Sequence, residues 1–67
     1  MSYQWCYNAG SVWVPLDKNT QVAIERLWRQ SSADWVYVAT FRDQAYVNGA
    51  SLYIYYNGAN YYLTRTC

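Results

Sequence analysis

The side chains able to do chemistry in this sequence are few, and histidine is not among them. The charged groups are Lys18, Arg26, Arg29, Arg42 and Arg65 against Asp17, Glu25, Asp34 and Asp43, joined by Cys6, Cys67 and nine tyrosines. Without histidine there is no imidazole base, no Ser-His or Cys-His nucleophile pair and no imidazole metal ligand. The four carboxylates are scattered, and their spacing does not set up a shared acid–base site. Gly10, Gly49 and Gly58 each stand among turn residues, so the chain has neither a phosphate loop nor a dinucleotide-binding fingerprint. These residues lead us to expect a protein that is not an enzyme. What they support is binding through rings, amides and a few arginines. The 67 residues include four Trp and nine Tyr, and each such ring offers on the order of 150–250 Å² of contact.

Charge and cysteine content narrow the partners. The net charge is +1, with no basic block of the kind that gathers duplex nucleic acid by counterion release. A local pair of arginines could still hold one or two phosphates. No apolar run reaches the ~18 residues of a membrane span, and no signal-peptide core follows Met1. The expectation is a soluble, intracellular chain, cytoplasmic or nuclear, with no membrane partner, unless it was cut from a longer secreted protein. Cys6 falls in the first strand and Cys67 ends the last, so a disulfide between them is one reading. A buried free Cys6 with a frayed Cys67 is the reading favoured by the lack of an export signal. Two cysteines without histidine do not make a structural zinc site, and no cofactor is expected.

The elements that must position these groups follow from hydrophobic periodicity. Residues 3–7 and 12–16 are β-prone runs around Asn8-Ala9-Gly10-Ser11, a hairpin pattern, with Pro15 at a strand end or sheet edge because it lacks an N–H. Residues 17–20 carry helix-start chemistry, with Asp17, Asn19 or Thr20 as the cap. Thr20, Ala23, Ile24, Leu27 and Trp28 then form one stripe at helical spacing. Gln21, Glu25, Arg26 and Arg29 lie opposite or on its borders, and Val22 stands off the stripe. The helix is expected to end near Gln30. Residues 35–41 read as a strand, Arg42-Asp43 as a turn and residues 44–47 as the next strand. Asn48-Gly49 and Asn57-Gly58 mark two further hairpins. A two-residue turn at Asn57-Gly58 sets Tyr56 opposite Ala59, Tyr55 opposite Asn60, Ile54 opposite Tyr61 and Tyr53 opposite Tyr62. Leu52, Ile54, Tyr56, Tyr61 and Leu63 then share the core face. Tyr53, Tyr55 and Tyr62 share the other face, with Ser51, Asn60 and Thr64. The fold class is α+β: a six-stranded, curled antiparallel sheet, or half barrel, packed on one helix in the order ββαββββ, as a single domain over residues 1–67.

On this pattern the chain resembles the WWE family. The residues that carry the resemblance are Trp5, Trp13 and the helical Ile24-Glu25, within Trp5-Cys6-Tyr7 and Trp13-Val14-Pro15-Leu16-Asp17. Trp28 and Leu63-Thr64-Arg65 also fit its spacing. The resemblance covers essentially the whole chain. It implies a non-catalytic module recognising ADP-ribose or iso-ADP-ribose units of poly(ADP-ribose), or an adenine nucleotide. Family members typically serve as accessory domains of ubiquitin ligases and ADP-ribosyltransferases, so an ADP-ribosylated protein is an implied partner. Carried over by position, Tyr7 matches the family's first-strand tyrosine. Tyr46 matches its second with one residue of register allowed. The ligand-reading glutamine falls on Ile54 or Tyr55, and the last-strand basic position falls on Tyr61, leaving Arg65 as the nearest cation. A phosphate lacking a charge-assisted donor forfeits roughly 1.5–3 kcal/mol per bond. Two of the family's polar contacts are therefore absent.

The candidate ligand-binding residues are accordingly Tyr7, Tyr46, Tyr55, Arg65 and Arg42. Most other marker residues read as architecture: Trp5, Trp13, Ile24 and Trp28 as core, and Glu25 as a partner of Arg29 four residues on. The alternative function is a protein-interaction domain that keeps the fold without the ligand, using Tyr53, Tyr55 and Tyr62, since three rings on one half-exposed face exceed what packing needs. Glycan binding through exposed rings and asparagines is a third reading.

Overall fold

The computed structural model describes residues 3–66. Its elements are β1 (Trp5–Asn8), β2 (Trp13–Pro15), α1 (Lys18–Arg29), β3 (Ala33–Val38), β4 (Asp43–Asn48), β5 (Tyr53–Tyr56) and β6 (Ala59–Arg65). The strands pair antiparallel throughout. They form one unclosed sheet in the order β2-β1-β6-β5-β4-β3. The expected α+β fold, ββαββββ, is therefore the one observed. Pro15 falls on an edge strand, where its missing N–H breaks no ladder. Among the described residues, no helix is long and apolar enough to cross a membrane.

Local chemistry accounts for the boundaries. Asn57 and Gly58 both take positive φ, 52° and 81°, as a two-residue type I′ turn requires. The register of β5 on β6 is the one read from that turn, with Ile54 opposite Tyr61 and Tyr53 opposite Tyr62. Of the three possible caps, Asp17 is the one used: its carboxylate accepts from the Thr20 N–H at 3.1 Å and the Thr20 hydroxyl at 2.7 Å. The same carboxylate accepts from the Thr40 N–H and hydroxyl, at 3.1 and 2.9 Å, tying the start of α1 to the β3–β4 turn. Burial alone would raise the Asp17 pKa, but the hydrogen bonds from Thr20 and Thr40 outweigh it and hold it below its ordinary value.

The core lies between α1 and the inner face of the sheet. Trp5, Ile24, Val38, Val47 and Ile54 are wholly buried there, with Leu16, Leu27, Ala45 and Leu63 around them. Gly49 sets how closely helix and sheet approach. A Cβ at this position would stand 2.5 Å from the Leu27 carbonyl carbon and 2.5 Å from the Trp28 nitrogen. The Gly49 N–H donates to the Ser32 carbonyl at 2.9 Å. The connection from β4 to β5 runs over residues 49–52, with Leu52 at φ 60°. Gly49 is needed for this backbone-to-backbone contact.

Four sequence expectations need correction. The buried stripe of α1 includes Gln21 and Glu25, which the periodicity put on the polar side, while Trp28 is 37% exposed. Their burial has a tertiary cause. Gln21 accepts from the Trp5 N–H at 2.8 Å and donates to the Leu16 carbonyl at 2.6 Å, so the helix satisfies the backbone at the start of β1 and just after β2. Trp13, expected in the core, is exposed on the edge strand β2, on the face away from the helix. β3 stops at Val38, and residues 39–42 form a turn in which the Phe41 N–H donates to the Val38 carbonyl at 2.9 Å. Cys6 is buried as expected but disulfide-bonded, not free. Cys67 lies outside the described residues.

Candidate functional site

The five residues singled out from sequence fall in four separate places, and the sheet topology explains why. Strand alternation divides the side chains between an inner face toward α1 and an outer face toward solvent. Tyr7 pairs with Leu63 and Val14, and so points inward. Tyr46 pairs with Trp35 and Tyr55, and all three point outward. Tyr7 and Tyr46 therefore cannot bound one ligand ring between them. Arg65 is on the inner face at the far end of β6, and Arg42 is exposed in the β3–β4 turn at φ 57°.

Arg65 is committed within the chain. Its guanidinium grips Glu25 with two bonds, Nε to Oε1 and Nη2 to Oε2, both 3.0 Å. The Trp5 indole N–H donates to Oε1 at 2.8 Å, and the Arg29 Nε–H donates to Oε2 at 3.1 Å. Above this network the Arg65 guanidinium lies 4.7 Å from the Trp28 ring centroid and 5.0 Å from that of Tyr3. The bond from Arg65 is the largest influence on Glu25. Against the cost of burial, and with help from Trp5 and Arg29, it brings the Glu25 pKa down to about 2. The Glu25–Arg29 pairing read from the i,i+4 spacing is present. The contacts from Trp5 and Arg65, distant in sequence, are what bury the carboxylate.

The inner end of the sheet near Tyr7 is filled by rings. Tyr7 meets Phe41 edge-on at 5.1 Å between centroids and Tyr61 edge-on at 5.7 Å. Phe41 stacks on Tyr56 at 4.8 Å with 19° between planes. The Tyr56 hydroxyl donates to Asp43 Oδ2 at 3.3 Å, and burial together with the Asp43 charge pushes the Tyr56 pKa up. Among the described residues no pocket opens beside Tyr7, because Phe41 occupies the space between the tyrosines.

The outer face is different in kind. Register carries one row across four strands: Trp35 on β3, Tyr46 on β4, Tyr55 on β5 and Asn60 on β6. A second row sets Asn48 beside Tyr53 and Tyr53 beside Tyr62. Trp35 packs edge-on to Tyr46 at 5.5 Å. Tyr62 is 69% exposed, Trp35 60% and Tyr37 57%. None of the outward strand positions, from Trp13 on β2 to Tyr37 on β3, carries a charged side chain. The amides here belong to Gln44, Asn48, Asn60 and Asn8. Tyr53, Tyr55 and Tyr62 share this face, as the Asn57-Gly58 register implies. Trp35 and Tyr37 were not recognised as part of it, although continuing the same alternation through β4 into β3 would have found them.

Comparison with known proteins places no relative beside the chain: no family model, curated protein or solved structure matches it.

Proposed function

We propose that this chain is a non-catalytic binding module that engages its partner through the outer face of the sheet. The observation that supports this is the set of large exposed rings on that face, with Trp35, Tyr37 and Tyr62 each more than half exposed. Contiguous aromatic surface of this kind marks interaction sites, and Trp and Tyr carry a disproportionate share of binding energy where they are found. The Tyr53/Tyr55/Tyr62 reading of the sequence thus gains Trp35, Tyr37 and Tyr46.

A second reading, a WWE-like module for ADP-ribose, iso-ADP-ribose or an adenine nucleotide, draws support from the element order and from Tyr7 on the inner face. Under that reading Phe41 must leave its stack on Tyr56 to admit the ligand. Arg65 must also share its charge between Glu25 and a phosphate.

Titration of the labelled protein with ADP-ribose, iso-ADP-ribose, ATP, neutral oligosaccharides and aromatic peptides, followed by backbone amide shifts, tests both readings. Shifts confined to β3–β6 around Trp35, Tyr55 and Tyr62 are the expected result. Shifts centred on Tyr7, Phe41 and Tyr56 with the nucleotide ligands overturn the outer-face reading in favour of the second.

A further inference from the structure

The composition of the outer face specifies more than stickiness. A surface that buries itself against protein ordinarily mixes aromatic rings with methionine and arginine, inside a polar rim. A surface for nucleic acid or any phosphate ligand needs cations. The outward strand positions here hold neither: they bear no Leu, Ile, Val or Met and no charge of either sign. They present rings interleaved with side-chain amides and hydroxyls. The charges of the described residues lie elsewhere, on α1 and its cap, in the β3–β4 turn and on the inner face.

We infer that the outer face binds a neutral glycan chain along the row Trp35–Tyr46–Tyr55–Asn60, with Tyr53 and Tyr62 beside it. This rests on the outer-face reading above and names its ligand class. A pyranose ring presents C–H groups on its faces and hydroxyls around its edge. Trp and Tyr rings cover the former, while Asn60, Gln44 and the tyrosine hydroxyls donate to and accept from the latter. A neutral polyol asks for no counter-charge, and none is offered. Strands lie about 4.8 Å apart, so Trp35 and Tyr55, two strands apart in one row, are separated by on the order of 10 Å. Two linked sugar rings span such a distance, which puts ring on ring at alternate residues of an extended glycan. The disulfide-bonded state of Cys6 agrees with a ligand of this class. Disulfides persist in oxidising, extracellular settings, where structural polysaccharides are found.

The test uses the full chain with insoluble cellulose and chitin, and with soluble gluco-, xylo-, manno- and chito-oligosaccharides of increasing length. Bound protein is measured by co-sedimentation and the site by amide shifts. The expected result is binding to at least one of these glycans, tightening with chain length until the row is spanned, with shifts at Trp35, Tyr46, Tyr55 and Asn60. Trp35→Ala and Tyr55→Ala each weaken that binding at least tenfold, about what the loss of one aromatic anchor does. Tyr55→Phe, which keeps the ring, retains most of it. Trp35 and Tyr55 are both exposed, so neither change carries a folding penalty large enough to confuse the result, and unchanged thermal unfolding confirms this for each of the three variants. If none of the glycans shifts these amides while an aromatic peptide or a second copy of the chain does, the glycan inference fails and the outer-face reading stands. If neither class of ligand touches the face, and Tyr55→Ser with Tyr62→Ser alters no association, both fail.

Discussion

The two faces of this sheet are built from the same residue types and use them in opposite ways. On the inner face, Trp5 is wholly buried and its indole N–H is bound to Glu25, while Tyr7, Tyr56 and Tyr61 close around Phe41. On the outer face, Trp35, Tyr55 and Tyr62 stand in solvent, and none of their cross-strand partners is charged. An aromatic count therefore says little about function until the register assigns each ring to a side. The inner rings are architecture because each one's polar atom or edge already has a partner. The outer rings have room for one.

Substitutions can break this contrast, beginning inside. Glu25→Ala leaves the Trp5 indole N–H without its acceptor and the partly buried Arg65 guanidinium without its carboxylate. It should cost about 3 kcal/mol of stability by denaturant unfolding, the lower end for a broken buried pair because Arg29 stays solvated. Gly49→Ala drives a methyl into the helix backbone at Leu27 and Trp28. A loss of about 3 kcal/mol is expected, the upper range for overpacking, because backbone cannot move aside as a side chain can. Phe41→Ala should cost about 2 kcal/mol, less than a fully buried phenylalanine, and should open the space beside Tyr7. If nucleotide ligands then bind to the variant but not to the parent, Phe41 is an occluding side chain as well as a packing one. Tyr62→Ser, on the outer face, should change stability by no more than about 0.5 kcal/mol while reducing partner binding. Substantial unfolding by that change would show that the outer rings are structural after all.

Acid sharpens the same comparison. Glu25 holds its proton more weakly in the folded chain, at about 2, than the ordinary value of 4.5. Its contribution is therefore present in full above about pH 4.5 and is lost progressively as the pH falls through the folded value of about 2, below which both forms are protonated. Urea midpoints measured between pH 7 and pH 2 should fall across that window. Glu25→Gln should lower the midpoint at neutral pH and flatten much of the decline. The outer face contains no carboxylate, and its contribution should not change over this range.

What the sequence revealed and what it hid divide along the range of the interactions. Asn57-Gly58 specified a turn, and through it the register and both faces of β5 and β6, because φ preferences act locally. Pro15 marked an edge because its missing N–H is an equally local property. Gln21 and Glu25 were misread because a helical wheel knows only its own helix, and their partners are the backbone of Trp5 and the side chain of Arg65. Phe41 read as a strand residue on β propensity, whereas the structure turns it inward after Val38 to fill the space against Tyr56. The candidate site suffered most. Tyr7, Tyr46 and Arg65 were grouped by resemblance, and only strand pairing shows that they occupy different faces or ends of the sheet.

The adjacency of β1 and β6 also has a kinetic side. β1 and β2 form a hairpin at once, but their place in the sheet exists only after β6 has been made, since among the described strands β6 is the one that joins them to β5, β4 and β3. Trp5 likewise waits for Arg65, forty residues after Glu25, before its network is complete. Nucleation that depends on such distant pairing is slow relative to local helix or hairpin formation. The emerging chain thus cannot settle strand by strand as it leaves the ribosome. It should fold in one late, cooperative step, and loss of β6 alone should leave the first hairpin with nothing to join.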